Sequence, residues 1–599
     1  MKTGVLCRVL AGAVVVAGAG VPVYAQGLPP VPFPPENPPS EAKRILGKML
    51  FFDEQLSTDS TTACATCHIH GSGGADPRLA VHPGPDGVLG TPDDLSTSPG
   101  VISADAAEDY EPDPVFGLDP QLTPRAANTA IMAMYADEIF WDGRASSEFV
   151  DPQTGAVVIA SGGALESQAV GPVVSDVEMA HADRDWDQVA AKLRSAVPMA
   201  LASDLTADMT ARLIDRPGYP ELFADAFGDG QITAARIAMA IATYERTLVP
   251  DQTPWDAFMA GDQNAMTPRQ QQGWQAFQVS KCSICHIPPL FTDNLFINIG
   301  LRPNSQDIGR EGVTGNQADR GRFKTATLRN AGLKRTLMHT GQFQSVSQVF
   351  PFYAGPGAPG NPNRAPVLPA SVPPNLRPAV DDFITNALVD PRVAGEQFPF
   401  DRPTLHSEGD PNPVLLTGGV PGSGGLTPRM IANVPPNVGN AGFKIGLDRA
   451  LAGATAEVAI SEQPPVGGVV IPDSTSGPIA VGGIGIGGGF ATFHWPIEAD
   501  PALDGEVVYM QWRVDDPSAP GGVALSQPVE VTLFCGGWCP DTTCPADLTG
   551  DGVLDLLDVN VFVSGFSSGD PIADLNNDGI LDLIDVQIFV TSFTTGCAF

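Results

Sequence analysis

One five-residue pattern, Cys-x-x-Cys-His, occurs twice in the chain, as CATCH at 64–68 and as CSICH at 282–286. The two thiols of such a pattern lie one helical turn apart and can add to the vinyl groups of a haem, and the histidine is placed to bind iron. A thioredoxin-like dithiol or half of a zinc site needs only part of the pattern, so its full recurrence favours covalent haem. We therefore predict two c-type haems with His68 and His286 as iron ligands. The thioether bonds would form at Cys64, Cys67, Cys282 and Cys285.

A second repeat lies near the C-terminus, where DLTGDGVLDLLD at 547–558 returns 27 residues later as DLNNDGILDLID at 574–585. Its oxygen-bearing side chains fall at positions 1, 3, 5, 9 and 12, with glycine at the sharp bend, and this spacing can wrap calcium. The repeat looks like a dockerin type I module, which implies a cohesin-like partner. Calcium that only stabilises the module is the alternative. The predicted ligands are Asp547, Thr549, Asp551, Asp555 and Asp558, and then Asp574, Asn576, Asp578, Asp582 and Asp585.

The N-terminus predicts export. A short basic start precedes an apolar stretch at 9–23, and Val23-Tyr24-Ala25 fits the small-x-small rule for cleavage of a signal peptide after Ala25. A retained anchor is the alternative, although the apolar stretch is short and contains glycine and proline. The localisation predicted is periplasmic or secreted and cell-surface. An even set of cysteines suits disulfides there, with the pairing left open: Cys535, Cys539, Cys544 and Cys597.

Charge excludes several classes of partner. The 599-residue chain has 33 Lys and Arg against 68 Asp and Glu, a formal net charge of −35. Such a surface repels nucleic acid and anionic lipid. No apolar run of membrane-spanning length follows the signal, so we expect no membrane span in the mature chain.

The composition predicts a multidomain protein. After the signal at 1–25 and a Pro-rich, poorly packed lead-in at 26–39, helical periodicity dominates to about residue 405, including a helix over 40–52 capped by Ser40 and another over 233–248. We expect two mainly α, cytochrome c-like domains with long loops, at 40–250 and 251–410. Alternating runs then predict a small all-β, sandwich-like domain at 411–540, in which the Gly-rich stretch 482–489 forms turns. A short α calcium-binding module follows at 541–599.

A larger set of motifs surrounds the two CxxCH patterns. In order, they include LFFDEQLSTDSTTACATCH, IFWDGRASSEF, GPVVSDVEMA, YPELFADAFG, ATYERTLVP, IPPLFTDNLFINIGL and ADRGRFKTATLRNAGLKRTLMHTG. Over residues 40–390 the chain resembles the bacterial di-haem cytochrome c peroxidase and MauG superfamily. The resemblance implies that peroxide binds at the His68 haem and that the His286 haem transfers electrons.

The resemblance also assigns side chains around the first haem. Trp141 would be the electron relay, and Glu178 the carboxylate that moves the proton of peroxide from one oxygen to the other. Gln168 and Pro172 would occupy neighbouring pocket positions. A core tryptophan and a solvated glutamate are the ordinary alternatives.

The remaining axial ligands divide the superfamily. The resemblance places the second haem's sixth ligand fourteen residues beyond His339, at Tyr353, where peroxidases of this kind have methionine and the MauG branch has tyrosine. Met338 is the rival. His82 is the candidate for blocking the first haem, with a loop role for His82, or His70 in its place, as the alternatives.

The chain departs from the family's pattern in two places. An acidic insertion spans 83–120, in which Asp86, Asp93 and Asp94 could hold calcium or form a solvated loop. The family's calcium asparagine is blurred, since Ala126 stands at its position with Asn128 nearby.

These residues predict an exported di-haem peroxidase-like enzyme that reduces hydrogen peroxide. Its external electron donor would be a small redox protein, either a cytochrome c or a cupredoxin. The first alternative is a MauG-type oxidase that performs long-range oxidation of a protein or organic substrate. The second is a non-enzymatic electron carrier.

Overall fold

A computed structural model describes residues 27–78, 80–214, 217–536, 545–549, 554, 556–576 and 580–595. The predicted signal peptide lies outside this part of the chain. The chain divides into two compact units. One, the CATCH unit, consists of 32–249, 334–344 and 392 onward, and the other, the CSICH unit, mainly of 250–333 and 345–391. None of the described helices is long and apolar enough to cross a membrane.

Seven helices belong to the first part of the CATCH unit. Helix α1 begins after Ser40, whose hydroxyl accepts a hydrogen bond from the Lys43 amide at 3.2 Å, which stabilises the first turn. Gly47 lets α1 and α7 pack backbone to backbone, because a Cβ there would lie 1.9 Å from the Ala240 carbonyl oxygen. The helices are α1 (Glu41–Phe52), α2 (Cys64–Cys67), α3 (Ala164–Ala169), α4 (Trp186–Ser195), α5 (Ala207–Leu213), α6 (Tyr219–Phe227) and α7 (Ala234–Glu245).

Most described residues of the Pro-rich lead-in are exposed, but Pro34 and Asn37 are buried. Asn37 is fully buried, and its side-chain amide donates to the Glu166 carboxylate at 2.8 Å. The carbonyls of Pro32 and Pro38 accept from Arg246 and Lys43. Within the lead-in the Asn37 amide donates to the Pro34 carbonyl at 3.0 Å. Proline itself has no N–H to donate, so other carbonyls of the segment remain available to these buried cations.

The CSICH unit repeats the theme of helices crossing at a glycine. A Cβ on Gly273 of α9 would lie 2.0 Å from the Ala379 carbonyl oxygen of α12. Trp255, Trp274, Phe291 and Phe383 form the adjoining aromatic core. The helices are α8 (Pro254–Met259), α9 (Pro268–Val279), α10 (Glu311–Thr314), α11 (Val346–Ala354) and α12 (Arg377–Asp382), and α13 (Pro391–Ala394) follows at the unit's end.

Short antiparallel pairs decorate both units. β1 (Ala80–His82), just before the insertion, pairs with β2 (Leu95–Thr97) inside it, β3 (Phe149–Val150) pairs with β4 (Val157–Ile159), and β5 (Phe296–Ile297) pairs with β6 (Phe323–Lys324).

The C-terminal part of the CATCH unit is β-rich and contains two packed antiparallel sheets. One sheet has the order β11-β10-β15-β17-β7, with β12 on β10 and β16 on β15, and the other has the order β13-β14-β9-β8. The inner faces of both share one core around Trp512, whose indole N–H donates to the Gly446 carbonyl at 3.0 Å across the sandwich. The strands are β7 (Val414–Leu415), β8 (Arg429–Ile431), β9 (Lys444–Leu451), β10 (Thr455–Ser461), β11 (Ser474–Thr475), β12 (Ile479–Ala480), β13 (Gly482–Gly483), β14 (Ile486–His494), β15 (Val507–Asp515), β16 (Val523–Leu525) and β17 (Val529–Thr532).

The Gly-rich stretch was expected to form turns, but much of it is strand. Gly482 pairs with Phe490, and β14 continues from Ile486 with register shifts along β9. A Cβ on Gly489 would lie 2.8 Å from the Ala450 carbonyl oxygen, so the missing side chain allows the close strand approach.

Two helices end the chain, α14 (Leu556–Ser568) and α15 (Leu583–Thr595). Phe562 and Phe589, 27 residues apart, stack with ring centroids 4.3 Å apart. Ala546 and Ala573 complete this small core. The two repeats therefore fold against each other.

Candidate functional site

The first CxxCH motif forms the short helix α2. Cys64 and Cys67 are free thiols at its two ends. His68 follows directly, and its Nδ1 lies 3.1 Å from the Gly74 carbonyl oxygen. This bond orients the ring and fixes the tautomer that keeps Nε2 available as a metal ligand.

The second motif has the same local arrangement. Cys282 and Cys285 are free thiols on a single 3₁₀ turn, and Nδ1 of His286 lies 3.1 Å from the Phe291 carbonyl oxygen. Both motifs thus present unpaired sulfurs and an imidazole fixed through its other nitrogen. These donor sets fit two c-type haems, each held by thioethers and one histidine.

Trp141 is held by the backbone beside the MHTG segment. Its indole N–H donates to the Ala126 carbonyl at 2.8 Å, and the Ala126 amide donates to the His339 carbonyl at 2.8 Å. The Trp141 and His339 rings have centroids 6.0 Å apart. Ala126 therefore links Trp141 to the MHTG segment through its backbone.

Glu178 lies near the first pair of thiols. Burial raises the pKa of both Cys64 and Cys67, and the Glu178 carboxylate is among the groups that raise it further. Burial also raises the pKa of Glu178, against the opposing effects of the Arg144 guanidinium and a hydrogen bond with Ser175. A carboxyl group with a raised pKa next to a cofactor site holds its proton more readily than an ordinary glutamate and is suited to proton transfer.

The segment that leads to Glu178 carries the other two predicted pocket residues. Gln168 lies in the last turn of α3, and Pro172 begins the 3₁₀ turn Pro172–Val174. The Ser175 amide donates to the Pro172 carbonyl at 3.1 Å, and the Ser175 carbonyl accepts the Glu178 N–H at 3.1 Å. Gln168, Pro172 and Glu178 therefore lie on one continuous stretch of tight turns.

The sequence reasoning did not single out Arg144, although it lies in the quoted FWDGR motif. Its guanidinium stacks on Phe140, 3.6 Å from the ring centroid, and pairs with Asp142 at 3.2 Å. Arg144 supplies the positive charge that acts on Glu178. The presence of a cation in the motif was the signal that could have identified it.

A second missed residue is Arg78, which lies a few residues before the insertion at 83–120. Its guanidinium contacts the Cys67 sulfur at 3.3 Å, the Pro99 carbonyl at 3.1 Å and the Asp76 carboxylate at 2.7 Å. Arg78 thus ties the first motif to the start of segment 99–120.

Tyr353, on α11, belongs to the CSICH unit together with the second motif. Burial raises the pKa of Tyr353, and Cys282 and Cys285 raise it further. The phenol is therefore within electrostatic range of both sulfurs. Its rival Met338 lies in the segment 334–344, which belongs to the CATCH unit.

The two candidate distal histidines have different surroundings. His70 is fully buried, with Nδ1 2.8 Å from the Phe400 carbonyl oxygen and Nε2 3.4 Å from the Tyr244 hydroxyl. Both nitrogens of His70 are therefore engaged within the core. Nδ1 of His82 accepts the Gly84 amide at 3.0 Å, and its ring packs edge-on against Phe116.

The acidic loop of the insertion uses its carboxylates locally. Asp93 accepts from the Asp86 amide at 3.2 Å, and Asp94 accepts from the Gly90 amide at 2.8 Å. Within the described residues, no group of three or more acidic, histidine or cysteine side chains is arranged to hold a metal ion.

In the C-terminal repeat, the last carboxylate of each loop is buried. Asp558 accepts the Thr549 amide at 3.0 Å, and Asp585 accepts the amides of Leu575 at 2.9 Å and Asp582 at 2.8 Å. Asp547, Asp574 and Asn576 are also described. Asp551, Asp555 and Asp578 lie outside the described residues. Of the predicted disulfide cysteines, Cys535 is disulfide-bonded, and Cys539, Cys544 and Cys597 lie outside the described residues.

Two CxxCH motifs on separate units, with a partly buried glutamate near the thiols of the first, indicate a di-haem c-type oxidoreductase. A family model described as "Di-haem cytochrome c peroxidase" matches residues 41–264. The chain is 30% identical over 328 residues to the methylamine utilization protein MauG of Methylophilus methylotrophus, covering 54% of this chain and 75% of that protein. The chain belongs to the di-haem cytochrome c peroxidase and MauG family.

A second sequence relative agrees with this assignment. The cytochrome c peroxidase Ccp of Escherichia coli strain K12 is 29% identical over 325 residues, and the match spans 53% of this chain but only 54% of that protein. A crystal structure of a MauG-like protein associated with microbial copper homeostasis aligns with 66% of this chain and 99% of its own, at 21% identity and a TM-score of 0.45. The predictions of this family and of a peroxidase-class oxidoreductase are confirmed.

Proposed function

We propose that the protein is an exported di-haem c-type peroxidase that reduces hydrogen peroxide with electrons from a small redox protein. Overall, peroxide takes up two electrons and two protons and yields two water molecules. The bound haems would supply the redox-active iron, held by His68 and His286 and by the four motif cysteines. The observation that carries the proposal is the partly buried Glu178 carboxyl group near the thiols of the first motif, whose pKa is raised by burial.

The chain's own residues would contribute binding, orientation and proton transfer. Glu178, as a carboxylate, would accept a proton from one peroxide oxygen and return it to the other, and the Arg144 guanidinium would stabilise the carboxylate form present before the first transfer and after the second. Gln168 and Pro172 would shape the pocket. Trp141 would be the electron relay, and its bond to the Ala126 carbonyl keeps the indole in one orientation.

The test follows oxidation of a reduced c-type cytochrome after peroxide is added to the purified holoprotein. We expect Glu178→Gln to lower the rate by about 10² to 10⁴. Glu148→Gln, an exposed glutamate of the same unit, is the matched control and should leave the rate unchanged. An unchanged rate in Glu178→Gln would contradict the proposal. Two low-spin haems that do not respond to peroxide would instead indicate an electron carrier.

Tyr353 favours a second candidate, a MauG-type oxidase that acts at long range on a protein or organic substrate. Its phenol lies within electrostatic range of Cys282 and Cys285, and a tyrosinate ligand stabilises ferric iron better than a thioether does. Peroxide consumption without a cytochrome donor, accompanied by oxidation of an added substrate, would support this candidate. Strict dependence on a reduced cytochrome would support the peroxidase.

Export to the periplasm or the cell surface is part of the proposal. The disulfide at Cys535 supports it, because disulfides persist in oxidising compartments. Mass spectrometry of the natural protein should find its N-terminus at Gln26. An intact N-terminus would contradict export by signal cleavage.

We further propose that the C-terminal repeat binds calcium and attaches the enzyme to a cohesin-like partner. The paired helices and the buried Asp558 and Asp585 support a duplicated module. Elemental analysis should find two calcium ions per chain, and one fewer after Asp585→Ala.

We also propose that His82 binds the first haem. Spectra of His82→Ala would test this proposal.

A further inference from the structure

Segment 99–120 is the C-terminal part of the insertion at 83–120, and the proposed function gives it no role. It contacts two separate parts of the CATCH unit. Its first strand-like residues lie along the segment that carries Glu178, and its middle lies against the β-rich region that begins at β7. All three belong to the same unit.

The contact with the Glu178 segment is made largely by backbone. The Val101 amide donates to the Val177 carbonyl at 3.2 Å, and the Gln121 side-chain amide donates to the Asp176 carbonyl at 2.7 Å. A Cβ on Gly100 would lie 2.0 Å from the Val177 oxygen. The two segments therefore touch immediately before Glu178.

The same contact continues beyond the carboxyl group. A Cβ on Gly100 would lie 3.0 Å from the Cα of Glu178. The Ala182 amide donates to the Ala104 carbonyl at 2.9 Å. Segment 99–104 thus holds the backbone of residues 176–182 on both sides of Glu178.

Tyr110 anchors the middle of the insertion in the β-rich region. It is 2% exposed, its hydroxyl donates to the Asn433 side chain at 2.8 Å, and its amide donates to the Thr492 hydroxyl at 2.7 Å. The ammonium group of Lys444 lies 4.7 Å from its ring centroid. Gly446 makes room for the ring, since a Cβ there would lie 2.7 Å from it.

Charged groups on both sides of this tyrosine strengthen the anchor. Arg429 of β8 pairs with Asp119 and donates to the Leu118 carbonyl at 3.1 Å. His494 of β14 lies 2.8 Å from the Asp109 carboxylate. Ile102 and Leu118 bury their side chains with Tyr110 and Ile431 of β8.

We propose that segment 99–120 is a brace through which the β-rich region fixes the backbone around Glu178, with Tyr110 as its anchor and Gly100 as its contact point. Tyr110 and Gly100 are then positioning residues, and the inference rests on the proposed role of Glu178. The β-rich region would then help to hold the backbone around Glu178 in place. A buried aromatic anchor is well suited to this task because it combines a large contact area with a directed hydrogen bond.

The test compares Tyr110→Ala with Tyr110→Phe and with Tyr509→Ala, a matched tyrosine of the β-rich region, in the holoprotein. Hydrogen exchange is followed at the amides of residues 177–182. We expect Tyr110→Ala to speed their exchange about tenfold or more and to slow the peroxide reaction about tenfold. Tyr110→Phe keeps the buried ring and should restore both, and Tyr509→Ala should change neither.

Unchanged exchange at 177–182 in a folded Tyr110→Ala protein would overturn the proposal. If exchange rises throughout β9 and β15 as well, Gly100→Ala decides, because it acts at the contact with Val177 and leaves the anchor in place. That variant should speed exchange at 177–182 alone, and unchanged exchange there would overturn the brace. A wild-type protein inert to peroxide would refute the proposed function, whereas the exchange result would still decide on the brace.

Discussion

A buried ion pair between Arg246, which caps the C-terminal end of α7, and Glu166 of α3 gives a sharp prediction about stability. Arg246 makes two hydrogen bonds to Glu166, at 2.7 and 3.0 Å, and their side chains are 2% and 0% exposed. Replacing Arg246 with methionine leaves the Glu166 carboxylate buried without its strongest partner. Breaking a buried pair from one side costs about 3–5 kcal/mol. With a urea dependence of about 2 kcal/mol per molar, the unfolding midpoint should fall by about 2 M.

The measurement is a urea titration of the holoprotein followed by circular dichroism. Arg236→Met is the matched control, because Arg236 lies on the same helix and pairs with the half-exposed Asp229. Such surface pairs contribute about 0–1 kcal/mol, so its midpoint should move by less than about 0.5 M. The double variant Arg246→Met, Glu166→Leu should recover much of the loss. Equal midpoints for Arg246→Met and Arg236→Met would refute the reasoning.

Three further changes have defined outcomes. Tyr353→Met should replace a tyrosinate signature with a methionine-ligated spectrum, whereas Met338→Leu should leave the spectrum unchanged; a spectrum insensitive to Tyr353→Met would refute that ligand. Gly47→Ala should destabilise the helical core by about 1–3 kcal/mol or more, because its Cβ would meet the Ala240 carbonyl at 1.9 Å, and a melting curve like that of the wild type would contradict this. Burial raises the pKa of Glu54 to about 7, so the folded state loses stability as pH rises from about 4.5 to 7. Glu54→Gln should abolish this part of the pH dependence, measured as urea midpoints at pH 5 and pH 8.

Local signals in the sequence predicted local structure well. Ser40 caps α1, Thr233 caps α7, and the alternating run at 506–515 became β15, since each depends on a few adjacent residues. The CxxCH motifs likewise specify their own geometry, because two sulfurs and an imidazole on one turn need no distant partner.

Long-range contacts could not be predicted in this way. Asn37 lies in a proline-rich stretch that looks unstructured, and only the distant Glu166 and Met239 give it buried partners. Tyr110 belongs to an acidic insertion whose composition resembles a solvated loop, and its burial depends on a pocket in β-strands more than 300 residues later. The charge on Glu178 depends in the same way on Arg144, which the motif contains but does not place.

The short segment 334–344 has a consequence for how the two units could be exchanged by recombination during evolution. Both of its neighbouring stretches belong to the CSICH unit, yet its residues belong with the CATCH unit, where His339 accepts the Ala126 amide. The two halves are therefore interlaced along the polypeptide. Recombination at a single point therefore could not transplant either unit intact.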